Sequence, residues 1–193
     1  MNLPAIIASH ATWLRTNGEE GKSADLRGAD LTLADLRGAD LTRADLRGAD
    51  LTLADLRGAD LTRANLRGAD LTRANLADAT LPPLAVQLPD GEFTAWKRVR
   101  DDVILELRIP ADARRTASLV GRKCRADAAR VVSASHPDGT AHAGVRFFSL
   151  YSETFVYVVG EVVTEPRYDG DIRVECTAGV HFFAAREEAV AYR

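Results

Sequence analysis

Three side chains in the second half of the chain are the strongest candidates for joint chemistry: Cys124, Cys176 and His181. Thiolate and imidazole groups are zinc ligands, and three of them with an open fourth position would form a catalytic zinc site. A cysteine beside a histidine can also act as a nucleophile with its base. The spacing favours neither site, because the cysteines form no Cys-x-x-Cys pair and no second histidine lies at ligand spacing from His181. We therefore expect structural cysteines and a structural histidine, with no metal and no cofactor.

Two further groups of side chains carry weaker signals. His181 with Glu187 or Glu188 would supply a base and a carboxylate, but no motif or spacing joins them. The chain is therefore expected not to be an enzyme. The basic segments 114–115 and 122–125 are flanked by acidic residues and lack interleaved aromatic side chains, which predicts a solvated surface, with anion binding as the minor alternative.

Composition excludes several classes of protein. The formal charge is −3 over 193 residues, and no segment is strongly basic or acidic, so no direct binding to nucleic acid is expected. Two cysteines are too few for a disulfide framework, which favours a reducing compartment. The N-terminus lacks a basic signal region, and no apolar run approaches the ~20 residues that cross a bilayer. We expect no membrane association and a cytoplasmic protein.

A five-residue repeat precedes the part of the chain that contains these candidate residues. From Ala24 to Pro83 the unit Ala-(Asp/Asn)-Leu-x-x recurs twelve times. A step of five residues advances about 140° around a helix and changes sides along a strand, so neither a continuous helix nor a continuous strand fits. A chain that turns after every unit would bring the leucines to one interior. The predicted core leucines are Leu26, Leu31, Leu36, Leu41, Leu46, Leu51, Leu56, Leu61, Leu66, Leu71 and Leu76.

The repeat resembles the pentapeptide-repeat family, whose pattern is A(D/N)LXX. The resemblance covers residues 24–83 and implies a right-handed, four-sided β-helix with four pentapeptides per coil, and therefore about three coils here. We accordingly expect a β-solenoid (a right-handed quadrilateral β-helix) with an N-terminal capping helix, followed by a small, mostly β, α+β domain.

Two outward positions of the repeat differ in chemistry. Leu33 and Leu53 stand twenty residues apart, and Arg43 and Arg63 occupy the equivalent position on the opposite side. Exposed leucines are often inert surface or are covered by the same chain, but a pair of them can also contact a partner. These four residues are the interaction candidates.

Residues 1–23 are predicted to form a helical cap, because the end of a stack of turns exposes unpaired backbone and an apolar interior. Apolar residues recur at intervals of three and four over residues 3–16, before Asn17 and Gly18 end the pattern. His10 on this face is expected to be structural. Its segment 10–14 also resembles a leader common in bacterial and phage pentapeptide-repeat proteins. The predicted capping residues are Ile6, Ile7, Trp13 and Leu14.

A second domain is predicted at residues 93–193, after a linker at 84–92. Residues Pro89 to Gly91 have the composition of a turn. Runs of β-branched, aromatic and aliphatic residues punctuated by Gly, Pro and Asp predict short strands before a final helix. The predicted strands are Phe93–Val99, Val103–Ile109, Ala129–Ser133, Thr154–Val163 and Ile172–Cys176, and the helix is Arg186–Tyr192.

Residues 93–192 resemble a domain of unknown function that follows pentapeptide repeats in bacterial, phage and large-virus proteins. The resemblance implies no activity, and it favours a bacterial or phage-associated source. The matching segments are Leu107 to Pro110, Gly121 to Arg125 and Glu175 to Phe183, with Glu187, Glu188, Ala189 and Tyr192.

The resulting hypothesis is a non-catalytic protein–protein interaction or assembly module. The solenoid would act as a rigid spacer and the C-terminal domain as the recognition element for an unidentified protein or a second copy of the chain. An alternative is a DNA mimic that modulates a type II topoisomerase, although three coils at about 4.8 Å each extend only ~14 Å. A second alternative is an unrecognised enzymatic activity in the C-terminal domain.

Overall fold

The computed structural model describes residues 1–84, 86–174 and 176–192. The chain divides into two compact units. The repeat unit comprises Met1–Ala85, Leu119–Gly121 and Ile172–Glu175, and the C-terminal unit comprises Val86–Ser118, Arg122–Asp171 and Cys176–Arg193. No helix in the described part of the chain is both long and apolar enough to span a bilayer.

The repeat unit begins with helix α1 (Leu3–Arg15). Asn2 caps it, because its side-chain oxygen accepts a hydrogen bond from the Ala5 N–H at 3.2 Å. The following loop returns along the helix, where the Lys22 N–H donates to Ser9 Oγ at 3.0 Å. Gly21 makes this approach possible: it has φ +74°, and a Cβ there would lie 2.3 Å from the Ser9 carbonyl oxygen.

The repeats are built from turns and isolated bridges, and the predicted strand-rich β-solenoid is wrong. Residues 22–82 contain no β-strand. Single residues twenty positions apart form parallel bridges, as between Asp25 and Asp45. Backbone hydrogen bonds flank these bridges and join residues nineteen or twenty-one positions apart, for example from the Leu46 N–H to the Asn65 carbonyl at 2.9 Å. We call this arrangement the repeat stack.

The reason for the missing strands lies in the fifth position of each unit, which is left-handed. Gly38 has φ +61°, and so does Leu33 in the preceding unit. A left-handed residue every five positions turns the chain before an extended segment can grow. Arginine, leucine and aspartate also adopt this conformation, at Arg43, Leu53, Arg63, Arg73 and Asp78.

The second position of each unit stabilises the turn. The side-chain oxygen of Asp30 accepts the Thr32 N–H at 3.0 Å, and Asn65 accepts the Arg67 N–H at 3.2 Å. Only an acceptor oxygen two residues before the N–H is needed, which is why aspartate and asparagine both serve there.

The interior of the repeat stack consists of leucines and alanines. Of the predicted core leucines, those from Leu26 to Leu71 are buried, whereas Leu76 is half-buried. Of the predicted capping residues, Ile6 and Ile7 pack against this interior from α1. Trp13 stacks on the buried His10, with ring centroids 5.7 Å apart.

Two short segments from later in the sequence complete the repeat unit. The Gly68 N–H donates to the Val120 carbonyl at 2.7 Å, and the Leu119 N–H donates to Ile172 at 2.9 Å. Leu119 and Val120 are buried in the same core as the leucines. The strand predicted at Ile172–Cys176 is therefore absent: residues 172–174 have no strand conformation, and residue 175 lies outside the described residues.

Among its described residues the C-terminal unit contains nine short strands in three antiparallel sheets, one short α-helix and one 3-10 helix at Arg100–Asp102. The largest sheet has the order β1-β2-β5-β8, the second β3-β4-β9 and the third β6-β7. The strands are β1 (Phe93–Arg98), β2 (Ile104–Ile109), β3 (Arg115–Ala117), β4 (Cys124–Ala126), β5 (Ala128–Ser135), β6 (Arg146–Phe148), β7 (Val156–Val158), β8 (Val162–Thr164) and β9 (Val180–Phe182), and the helix is α2 (Arg186–Ala191).

The predicted strand at Thr154–Val163 is in fact two strands. A turn with Gly160 at φ +88° separates β7 from β8, and the two strands belong to different sheets. The three-residue strands β3, β4, β6 and β9 were missed because they are too short to show an alternating pattern.

Candidate functional site

The interaction candidates of the repeat stack lie at its left-handed positions. Leu33 is 70% exposed and Leu53 is 45% exposed. Arg43 and Arg63 share their backbone conformation, with φ near +60°. All four side chains point outward.

Some of the charges of the repeat stack neutralise one another locally. Arg27 contacts the carboxylate of Asp25 at 2.6 Å, and Arg37 contacts Asp35 at the same distance. Hydrogen bonds from these guanidinium groups lower the pKa of each aspartate to about 2. The pairs therefore stay ionised across the physiological range, and each carboxylate has a cation beside it.

The three metal-ligand candidates are not gathered into one site. Cys124 is buried in β4, where its Sγ lies 3.6 Å from the Arg122 carbonyl. Cys176 is an exposed free thiol, and His181 lies in β9. Within residues 1–84, 86–174 and 176–192, no three His, Cys, Asp or Glu side chains are arranged to hold a metal ion.

Cys176 and His181 do line a common cavity of about 590 Å³ in the C-terminal unit. Its wall also carries two lysines, Lys97 from β1 and Lys123 next to β4. Neither Glu187 nor Glu188 is among the residues that line this cavity. The hypothetical pairing of His181 with one of these carboxylates is therefore not found in the cavity. The remaining polar lining relevant to ligand binding is Tyr151, Glu165, Arg167 and Tyr192.

Lys97 occupies a position that an apolar residue normally fills. It alternates in β1 with the buried Phe93 and Ala95, and it is only 9% exposed. Among the described residues its ammonium has no hydrogen-bond acceptor and no carboxylate partner, and it lies 5.4 Å from the centre of the Tyr157 ring. Burial, and then the positive charge of Lys123, lower the pKa of Lys97 to about 8.

Lys123 is held quite differently. Its Nζ donates to the Tyr192 hydroxyl at 2.8 Å and to Cys176 Sγ at 3.0 Å. Burial opposes its charge, but these hydrogen bonds outweigh burial and raise the pKa of Lys123. The Tyr192 hydroxyl also lies 3.2 Å from that of Tyr151, which extends the polar network along the wall.

The predicted solvated surface at residues 122–125 is therefore wrong for two of its members. Lys123 is 6% exposed and Arg125 is fully buried. The Arg125 guanidinium donates to the backbone carbonyls of Asp169 and Asp171, and Gly179 packs against its side chain. Arg125 thus organises a loop, and only Arg122 of the basic residues in this run is exposed.

Comparison with known families addresses the C-terminal unit directly. Residues 84–189 match a family of unknown function, DUF5758. The chain belongs to the DUF5758 family. Residues 22–58 and 49–82 match pentapeptide repeats (8 copies), so the DUF5758 domain follows a pentapeptide-repeat segment, as the resemblance in the sequence indicated. A search of curated proteins found no match.

The two lysines of the DUF5758 cavity were missed at the sequence level, although signals for them exist. The run Phe93-Thr-Ala-Trp-Lys97-Arg-Val99 alternates with period two, which puts Lys97 in phase with the apolar residues. Lysine is also rare here: only Lys22, Lys97 and Lys123 occur among 25 basic residues. The position of Lys123 had no comparable signal, because the short strand β4 was not predicted.

Proposed function

We propose that the chain is a non-catalytic interaction protein whose DUF5758 domain recognises a small anionic ligand in the cavity between Lys97 and Lys123. The observation that carries the proposal is the buried ammonium of Lys97, which faces this cavity without a carboxylate partner among the described residues. A buried charge costs free energy unless it is paired. A bound carboxylate or phosphate would supply the missing partner.

The surroundings favour an anion over a neutral ligand. Lys123 stays positively charged because Tyr192 and Cys176 hold its ammonium. Glu165 lines the same cavity, but its carboxylate is paired with Arg167 at 3.1 Å. A volume of about 590 Å³ suits a ligand of small-molecule size.

The repeat stack would act as the carrier that presents this domain to an assembly, through an unidentified protein or a second copy of the chain. The free thiols of Cys124 and Cys176 fit the reducing cytoplasm of a bacterial or phage-infected cell. Imitation of duplex DNA is less well supported, because Arg27, Arg37, Arg47 and Arg57 each pair with the aspartate two residues before them. A DNA mimic needs a dense and unneutralised negative surface.

Titration with inorganic phosphate at constant ionic strength tests the proposal. Thermal melting of the full chain should shift upward with phosphate concentration, since a ligand that binds only the folded state stabilises it. The shift should be lost in Lys97→Met and retained in Lys22→Met, because Lys22 is exposed in the repeat unit. An equal shift in Lys97→Met and the wild type would contradict the assignment of the site.

A further inference from the structure

The geometry points to a covalent role for Lys97: its amine captures the carbonyl group of an anionic aldehyde or 2-oxo acid as an imine inside the DUF5758 cavity. This inference rests on the proposed anion site, because the ligand's acidic group is held there.

The presence of lysine, and not arginine, at position 97 favours a covalent role. The chain uses arginine for nearly all of its cations, and two of its three lysines line this one cavity. Arginine would satisfy a purely electrostatic site at least as well, because it stays charged and offers five donors. Lysine differs in that its nitrogen can lose a proton and then react as a nucleophile.

The two lysines are placed for different tasks. Lys123 Nζ donates hydrogen bonds to the Tyr192 hydroxyl and to Cys176 Sγ, which hold it as a cation. Lys97 Nζ has no such acceptor among the described residues, and the ring of Tyr157 lies 5.4 Å away. Lys123 therefore binds the acidic group of the ligand beside Lys97, and Lys97, once it has lost its proton, presents a neutral amine to the carbonyl carbon.

The reaction balances without any oxidant or reductant. The Lys97 nitrogen forms a bond to the carbonyl carbon, and a proton moves from nitrogen to the former carbonyl oxygen to give a carbinolamine. That oxygen takes up a second proton from the nitrogen and leaves as water, which yields the neutral imine. The hydroxyl groups of Tyr151 and Tyr192 lie 3.2 Å apart on the wall of the same cavity. Capture is reversible, since water hydrolyses the imine.

Reductive trapping with glyoxylate and cyanoborohydride provides the test. Glyoxylate carries an aldehyde and a carboxylate, and reduction of its imine leaves a stable carboxymethyl group on the lysine nitrogen. Peptide mass mapping of the full chain then reports each of the three lysines separately. We expect labelling of Lys97 to exceed that of the exposed Lys22 by at least about tenfold at pH 8, because far more of an amine with a lowered pKa is neutral there.

Two comparisons separate this inference from simple anion binding. Lys97→Arg keeps the positive charge and removes the nucleophile, so stabilisation by phosphate should persist while carboxymethylation of the cavity is lost. Acetaldehyde lacks the carboxylate and should label wild-type Lys97 less than glyoxylate does. Because the mapping is done on the wild type, the result does not depend on any variant folding.

Four outcomes are decisive. Preferential carboxymethylation of Lys97 supports the inference. Phosphate stabilisation that depends on Lys97, without preferential labelling of Lys97 by glyoxylate, overturns the covalent role and leaves the proposed anion site intact. Absence of both effects overturns the two together, and preferential labelling of Lys123 would show that the roles of the two lysines are reversed.

Discussion

The ammonium of Lys123 lies 2.8 Å from the hydroxyl of Tyr192 and 4.6 Å from the centre of its ring. This single tyrosine therefore fixes the charge of Lys123 both by a hydrogen bond and by its π face. The neighbouring Lys97 has only the more distant ring of Tyr157. The cavity thus contains one stabilised cation and one that is poorly stabilised.

Removal of the poorly stabilised cation should stabilise the protein. Lys97→Met replaces a buried ammonium with an apolar side chain of similar length, and we expect the free energy of unfolding at pH 7 to rise by about 1–3 kcal/mol. Urea denaturation followed by circular dichroism measures the change. Lys22→Met is the matched control and should change stability little, because Lys22 is exposed. A large destabilisation by Lys97→Met would show that the ammonium has a stabilising partner.

The charge of Lys123 should influence the pH at which Lys97 becomes reactive. Burial lowers the pKa of Lys97 most, and Lys123 lowers it further, to about 8. Labelling by glyoxylate should therefore rise with pH and reach half of its maximum near pH 8 in the wild type. In Lys123→Gln the midpoint should move to higher pH, because a positive neighbour has been removed. An unchanged midpoint would mean that Lys123 does not act on Lys97.

His10 should make the repeat unit sensitive to mild acid. Its Nδ1 accepts the Ala24 N–H at 3.0 Å, which requires an unprotonated Nδ1. Burial lowers its pKa, although the Thr42 backbone and the charge of Asp40 oppose this. A group whose pKa is lowered on folding contributes stability that is complete above the unfolded value of about 6.5 and is lost as pH falls through it.

Thermal melts between pH 7.5 and 5 test the role of His10. The melting temperature should fall over this range in the wild type and fall less in His10→Asn, whose side-chain oxygen accepts the same hydrogen bond without titrating. The pKa values of Asp25 and Asp35 are about 2, so their contributions are lost only in much stronger acid. Identical slopes for the two proteins would exclude His10 as the cause.

Left-handed positions of the repeat stack offer a matched pair of substitutions. Leu33 and Gly38 both have φ +61°, Leu33 is 70% exposed, and a Cβ at Gly38 would meet nothing within 4 Å. A left-handed non-glycine residue costs roughly 1–2 kcal/mol. Leu33→Gly should therefore raise the free energy of unfolding by about 1 kcal/mol, and Gly38→Leu should lower it by a similar amount. Changes of the same sign in both variants would refute the backbone explanation.

The sequence predicts the interior of the repeat stack better than its backbone. The five-residue period places Leu46 and its equivalents inside regardless of the local conformation, because only a regular turn brings them together. The period does not show whether the backbone between two successive leucines is an extended strand or a turn. That distinction depends on the left-handed conformation of the fifth position. Glycine at position 38 indicates this conformation in the sequence, whereas leucine at position 33 gives no indication of it.

The limits of prediction in the DUF5758 domain have a different cause. Lys97 can be assigned to an inward position from the pattern of β1 alone. Its proximity to Lys123 cannot, because it depends on the pairing of β1 with β2 and on a separate sheet that contains β4. The packing of Leu119 in the core of the repeat unit cannot be predicted either, because no local sequence pattern links residue 119 to a repeat that ends near residue 83.

The hydrogen bond from the Gly68 N–H to the Val120 carbonyl limits how the number of pentapeptide repeats can change during evolution. Every bridge of the repeat stack joins residues twenty positions apart, and Val120 takes the place of the next turn after Gly68. Duplication of a single pentapeptide would rotate the last turns away from residues 119–121 and leave their hydrogen bonds unmatched. Duplication of four pentapeptides would preserve that alignment, so viable relatives with longer repeats should differ from this chain in multiples of twenty residues.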